Sequence, residues 1–222
     1  MYRQSPKDKL DKLLFKGVKH NVSKGEVVYT TDDKNSLYLV TKGYIKRYQI
    51  TNKGNISIQY MYGPEDVFPL TAVIRLIFNK DVYRGPDTYF YEAMCNTTYF
   101  KIPGEKLIQA LQDDPLIYKD ILSVSSERFL SSVHQLENLS LPVYLQRVAH
   151  QLWYYTNKFS DVADNTAKIL IPLTHQDLAD VLSTTRETVS ICMSKLAKDG
   201  IIKPGRNIVI PDVEKLKQVA YA

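Results

Sequence analysis

The sequence predicts an α+β chain in three parts: an N-terminal antiparallel β-roll of the jelly-roll kind, one long helix, and a C-terminal domain of short helices closed by a β wing. Three observations predict it. Between residues 25 and 103, short runs rich in Tyr, Val and Ile alternate with turns marked by glycine, the composition of pleated, half-buried strands. From Pro115 to Leu139 neither glycine nor an internal proline interrupts a helical pattern. After Pro142, helical segments separated by a small polar turn are followed by a short hairpin.

Within the roll the expected strands are GEVVYT, SLYLVTKG, YIKRYQI and ISIQYMY, with TNKGN as the hairpin turn and Gly25, Gly43, Gly54 and Gly63 as punctuation. PGEKLIQALQDDP closes this domain, assigned to residues 1–114. The long helix occupies 115–140, and Leu122, Ser126, Phe129, Val133 and Leu136 recur along it at spacings of four, three, four and three. That seam suits packing against a partner helix. A homodimer is the simplest source of the partner, with packing on the chain's own β domain as the alternative and Ser126 as a polar interruption.

A third domain, residues 141–222, begins where Pro142 suits the first turn of a new helix, VYLQRVAHQLWYYTNKF. A polar loop (SDVADNTAK), a short strand (ILIPL), two close helices and the hairpin IIKPGRNIVIP complete a winged helix-turn-helix. Thr174 caps the first of the two helices, with Asp177 where a capping box needs its acid. Thr185 caps the second, whose apolar Val189, Cys192, Met193 and Leu196 face inward.

The other face carries Arg186, Glu187, Ser190 and Ser194 near the helix N-terminus, where a recognition helix meets base edges in a major groove. Arg bonds guanine O6 and N7 in a bidentate pair, and Glu accepts from cytosine N4. Arg186, Glu187 and Ser190 are thus the candidate base readers of double-stranded DNA. Thr174, His175, Gln176 and Thr188 are candidate phosphate contacts through side chains or helix-terminal N–H groups. The plainer alternative for Arg186 and Glu187 is a solvated helix start, since an acid there also suits the helix dipole.

LTHQDLADVLSTTRETVSICMSKLAKDGII resembles the helix-turn-helix of the cAMP receptor protein and fumarate-nitrate regulator (CRP/FNR) family, with RETVS its most specific element. The resemblance extends through KGEVVY, LYLVTKGYIKRY, YGPEDVF and LPVYLQRVAHQL. It implies a homodimeric transcription regulator that works with RNA polymerase, in which a β-roll of the cyclic-nucleotide-binding type serves as sensor and the central helix dimerises. By position it also implies the DNA roles just given for Arg186, Glu187, Thr188, Thr174, His175 and Gln176. Ile191 departs from the pattern, standing where many relatives carry a second base-reading arginine.

The sensor region departs further. Phe68-Pro69-Leu70 replaces the Gly-Glu-Leu of cyclic-nucleotide binders, and Tyr89-Phe90-Tyr91-Glu92 stands ahead of Ala93 instead of an Arg-Ser pair. An apolar, aromatic lining supplies no cation for a cyclic phosphate, so cAMP is not expected; Arg75 and Arg84 are the nearby arginines. Residues 1–94 hold no cysteine for an iron–sulfur cluster, and His20 is the sole histidine ahead of the central helix for a haem. Phe68, Leu70, Tyr89 and Tyr91 either line a pocket for an unknown apolar effector or fill it themselves.

The 222 residues carry a net charge of +5 and 44% hydrophobic residues, with no apolar run of membrane-spanning length and no signal peptide, so a cytoplasmic protein is expected. Basic residues concentrate in 1–24 and in 184–206, the latter through Arg186, Lys195, Lys198, Lys203 and Arg206. Cys95, on an expected strand, and Cys192 read as buried free thiols, without disulfide or zinc spacing. A cupin-type enzyme needs clustered ligands, yet His20, His134, His150 and His175 fall in four separate elements. No catalytic triad or phosphate loop appears, so neither an enzyme nor a metal site is expected. A β-roll that only binds protein partners is the remaining alternative.

Overall fold

The structure, a computed structural model, describes residues 8–28, 35–78, 89–205 and 207–222. Arg84, Arg206 and, in the strand expected over GEVVYT, Tyr29 and Thr30 lie outside them. The described residues form two compact units; the main division falls inside the long helix, between Leu130 and Ser131, and Asn55–Ile58 group with the C-terminal unit.

The described residues open with α1 (Asp8–Leu14) and β1 (Val18–Val22), followed by β2 (Ser36–Lys42), β3 (Ile45–Ile50), β4 (Ile56–Tyr62) and β5 (Val67–Phe68). Then come α2 (Leu70–Phe78), β6 (Phe90–Ala93), β7 (Thr97–Pro103), α3 (Gly104–Asp113) and the long α4 (Ile117–Ser140). One sheet has the order β1-β7-β2-β5 and the other β4-β3-β6. The paired registers are antiparallel, with Tyr38 opposite Phe68 and Arg47 opposite Tyr91. Val27 adds a single bridge to Glu92.

Strand β2 explains why SLYLVTK reads as an unbroken apolar run. Successive side chains of a strand point to opposite faces, and here both faces are covered. Leu37 and Leu39 join a core with Leu10, Leu14, Leu107, Leu111, Ile117, Ile121 and Val124. Tyr38 and Val40 face a second, aromatic core with Ile45, Tyr62, Phe68, Tyr91 and Tyr99.

Helix α2 occurs where strands and turns alone were expected, and α1 precedes the region read as strands. The buried Asp120 of α4 accepts hydrogen bonds from the backbone N–H groups of Lys9 and Leu10 at 3.0 and 2.9 Å, satisfying free donors in the first turn of α1. Cys95 sits in the turn between β6 and β7, half-buried rather than on a strand, and its sulfur lies 4.0 Å from Thr97 Oγ1. Cys192 is buried, and that burial pushes its thiol pKa up.

Helix α4 carries two stripes. Ile117, Ile121 and Val124 are buried against the roll. The predicted seam lies open, with Leu122, Phe129 and Leu136 exposed at 67%, 68% and 69% and Ser126 bonded back to the Leu122 carbonyl.

The second unit continues with α5 (Tyr144–Lys158), β8 (Ser160–Ala163), β9 (Thr166–Ile169), α6 (His175–Leu182), α7 (Arg186–Lys198), β10 (Val209–Ile210) and α8 (Val213–Ala220). Helix α5 is its spine, packing on α7 and α8 through a buried face that includes Val148, Ala149 and Leu152. SDVADNTAK proves to be a hairpin rather than a loop. Asp164 and Asn165 hold φ of 46° and 62°, the left-handed pair that a two-residue hairpin turn requires and that Asn and Asp tolerate. Of ILIPL only Ile169 remains in a strand. The wing is a three-stranded sheet, β10-β9-β8, with Lys203 bridged to Val209.

Gly43 shows how tightly the roll's turns are set. Its φ is +84°, and an added Cβ would lie 2.4 Å from Thr97 Oγ1 and 2.7 Å from the Asn96 carbonyl oxygen; Gly25 has φ +85° but open space around it. Both positions strain an L side chain, and only Gly43 adds a collision. Gly43→Ala is therefore expected to destabilise the protein by roughly 1–3 kcal/mol more than Gly25→Ala. Equal losses in parallel thermal melts would contradict this.

Candidate nucleic-acid interface

The helix-turn-helix is set by local hydrogen bonds. Thr174 Oγ1 accepts from the Asp177 N–H at 3.0 Å, and the Asp177 carboxylate accepts from the Thr174 N–H at 3.0 Å, a complete capping box. The Thr174 hydroxyl also points to Asp177 Oδ2 at 2.5 Å. Both donors of Thr174 are thus committed to the cap. Ser183 then takes the left-handed conformation (φ 51°, ψ 48°), and Thr184 N–H bonds back to the Ala179 carbonyl at 3.0 Å. That reversal ends α6, with the Ala179 carbonyl accepting from both the Ser183 and the Thr184 N–H. Thr185 caps α7 by accepting from the Thr188 N–H at 3.2 Å.

Helix α7 divides its residues as the sequence predicts. Val189, Cys192, Met193 and Leu196 are buried; Arg186 and Glu187 are exposed in the first turn, and Ile191 is 71% exposed. Lys195 is exposed and paired with Asp199 at 2.9 Å. Ser190 is half-buried and already engaged, donating to the Arg186 carbonyl at 2.9 Å and lying 2.8 Å from His175 Nδ1. Because the hydroxyl hydrogen is spent on Arg186, the imidazole N–H is the donor to Ser190. One lone pair on the Ser190 hydroxyl remains for a base amine. The His175–Ser190 bond ties α6 to α7. Gln176 is exposed, with its amide on Asp180 at 2.7 Å, and Thr188 is half-buried.

In the β-roll, three of the four candidate effector residues share one place. Phe68 and Tyr91 are fully buried and stacked at 5.0 Å between ring centroids, and Tyr89 packs at the edge of the same cluster. Leu70 does not join them, because it starts α2 and packs into the other core. Nor is the lining free of cations. The Arg47 guanidinium lies 4.7 Å over the Tyr89 ring. Arg128, from α4, lies 3.6 Å over Tyr60, bonds the Val67 carbonyl at 3.2 Å and faces the buried Asp66 at 3.8 Å. Arg128 continues the buried stripe of α4 one turn beyond Val124, a spacing that could have found it. Burial, then the neighbouring Tyr62, pushes the Tyr91 phenol well above its ordinary range, so it stays neutral.

A further grouping escaped the sequence reading. His134 and His150, placed in separate elements, stack face to face at 4.1 Å with Glu137 beside them.

A β-roll, a long helix and a winged helix-turn-helix with a divided second helix define a DNA-binding transcription regulator. Comparison with known proteins agrees: the model of the Crp-like helix-turn-helix domain matches residues 146–219, and that of the cyclic nucleotide-binding domain matches residues 19–114. The chain belongs to the CRP/FNR family, whose members are transcription regulators and not enzymes. Electron transport regulator A of Shewanella oneidensis is 24% identical over 96% of this chain and 82% of its own length. The fumarate and nitrate reduction regulatory protein of Escherichia coli is 23% identical with the same coverage. Among solved structures, FixK2 from Bradyrhizobium japonicum shares the fold with a TM-score of 0.75 at 21% identity, covering 93% of this chain and 98% of that one. Among the described residues no helix is long and apolar enough to cross a membrane.

The capping box is open to direct test. Asp177 is 8% exposed and serves both Thr174 donors, so Asp177→Ala is expected to cost about 1–2 kcal/mol. Thermal melts of the variant and the parent chain check this, and an unchanged midpoint would show that the cap contributes nothing.

Proposed function

We propose that the protein is a cytoplasmic, sequence-specific regulator that binds a two-fold-symmetric operator as a homodimer, acts with RNA polymerase, and does so without cAMP. The observation that carries the reading is the division of α7, whose buried face completes the domain core while Arg186 and Glu187 stand exposed at its N-terminus. In this reading Arg186 and Glu187 read a G·C pair, with Ser190 contributing its remaining lone pair. Thr188 and the α6 N-terminus at His175 and Gln176 hold phosphate and fix the register. Ile191 offers an apolar surface that cannot donate to guanine but can meet a thymine methyl.

Selection of bound DNA from a random library tests this. The expected product is an inverted repeat with one strict G·C pair per half-site and a relaxed position opposite Ile191. Arg186→Ala is expected to cost about 1–3 kcal/mol of discrimination at the strict position, and Ile191→Arg to sharpen the relaxed one. Adding cAMP to the purified protein leaves operator affinity unchanged. A library that returns no consensus, or strict guanine at every position with the parent chain, overturns the reading.

Two further observations support its parts. Phe68, Tyr38, Tyr62 and Tyr91 are each at most 3% exposed and pack ring against ring, which favours a roll interior filled by its own side chains over one that waits for an effector. The open stripe of Leu122, Phe129 and Leu136 on α4 supports the homodimer, because apolar side chains two-thirds exposed at helical spacing leave a seam to be covered. Phe129→Glu is accordingly expected to sediment as a monomer with native helical content and to lose most of its operator affinity. A variant that remains dimeric would move the interface elsewhere.

A further inference from the structure

We propose that His134, Glu137 and His150 form a binding site for a divalent transition-metal ion of the zinc class, which ties the last turns of α4 to α5.

The site follows from placement. His134 and Glu137 are three residues apart on α4 and so share a face, and the break at Pro142 turns the chain back so that His150 of α5 meets them. One donor atom from each of the three lies within 4.8 Å of the others. His134 is 7% exposed and His150 1%, and Nε2 of the first and Nδ1 of the second are buried without a hydrogen-bond partner. A buried ring nitrogen left unsatisfied carries a desolvation cost, and a metal ion relieves it by taking the lone pair. Glu137 is exposed, which opens the cluster to solvent on one side and gives an ion a way in.

The donor set selects the metal class. Two imidazoles and one carboxylate suit zinc and its borderline neighbours rather than calcium or magnesium, which take oxygen ligands. Three protein donors leave a fourth position for water. Around an ion with bonds of about 2.0–2.1 Å, tetrahedral donors lie roughly 3.4 Å apart, so the cluster tightens on binding. The rings are now stacked at 4.1 Å and 5°. Lone pairs lie in the ring planes, and parallel planes do not converge on one point. Binding thus takes at least one ring out of the stack and exchanges a ring contact between α4 and α5 for a coordinate bridge.

The test uses the full-length protein, stripped with a chelator and titrated with Co²⁺, then with Zn²⁺. Trp153, the one tryptophan in the chain, has its ring centroid 6.4 Å from that of His150 and reports quenching by Co²⁺. The expected result is saturable quenching and visible ligand-field absorption at about one equivalent per chain, both reversed by Zn²⁺. Glu137→Gln, at an exposed position that leaves the fold intact, weakens binding by at least about tenfold. His150→Gln removes the signal, and His20→Gln leaves it unchanged. Absence of absorption and quenching at a large excess of Co²⁺ overturns the proposal, as does an undiminished signal in Glu137→Gln. Should His150→Gln fail to fold, Glu137→Gln alone decides.

Discussion

The β-roll depends on one strand being buried on both sides. Strand β2 supplies Leu37 and Leu39 to a core shared with α1, α3 and α4, and Tyr38 and Val40 to the aromatic core between the sheets. No position along Ser36–Val40 faces water, so a shift of register by one residue would drive tyrosine into the aliphatic core and leucine among the rings. The strand's neighbours inherit that constraint. β7 pairs with β2 over almost its full length, and the first turns of α4 lie where Leu37 and Leu39 put their surface.

The long helix is shaped by a related demand. One stripe, Ile117, Ile121 and Val124, is fixed by the roll and continues into Arg128, whose guanidinium replaces aliphatic packing with stacking on tyrosine. A second stripe, Leu122, Phe129 and Leu136, is apolar and open. Further along, His134 and Asn138 are buried in the second unit, where the Asn138 amide bonds the Arg147 carbonyl at 2.9 Å. A single helix therefore meets three environments, aliphatic, aromatic-cationic and imidazole, in the order its sequence writes them.

What could be read in advance was what is local. The caps at Thr174 and Thr185, the glycine turns and the inward stripe of α7 each depend on residues within about one turn, and the structure has them as the sequence implies. Helix α2 was hidden because LTAVIRLIF is apolar enough to pass for a strand inside a β-rich region. The β8–β9 hairpin was hidden by its polarity, although Asp164-Asn165 is a turn signature. Arg47 over Tyr89, Arg128 over Tyr60 and His134 against His150 depend on residues that only the tertiary fold brings together. A linear reading of the roll as apolar could not see guanidinium groups arriving from β3 and α4. The same limit hid the loss of Leu70 from the aromatic cluster, which follows from the helix that begins at Leu70 itself.

The open stripe on α4 has a consequence for the life of the chain before it reaches any operator. A lone copy shows water Leu122, Phe129 and Leu136 along one face, an apolar surface that lowers solubility for as long as nothing covers it. In the proposed homodimer, pairing through this stripe depends on abundance, so the share of paired chains rises with the amount synthesised. Under that proposal dosage is an input to the regulator, and a stable copy with an intact stripe but a damaged α7 ties up a sound chain in an idle pair.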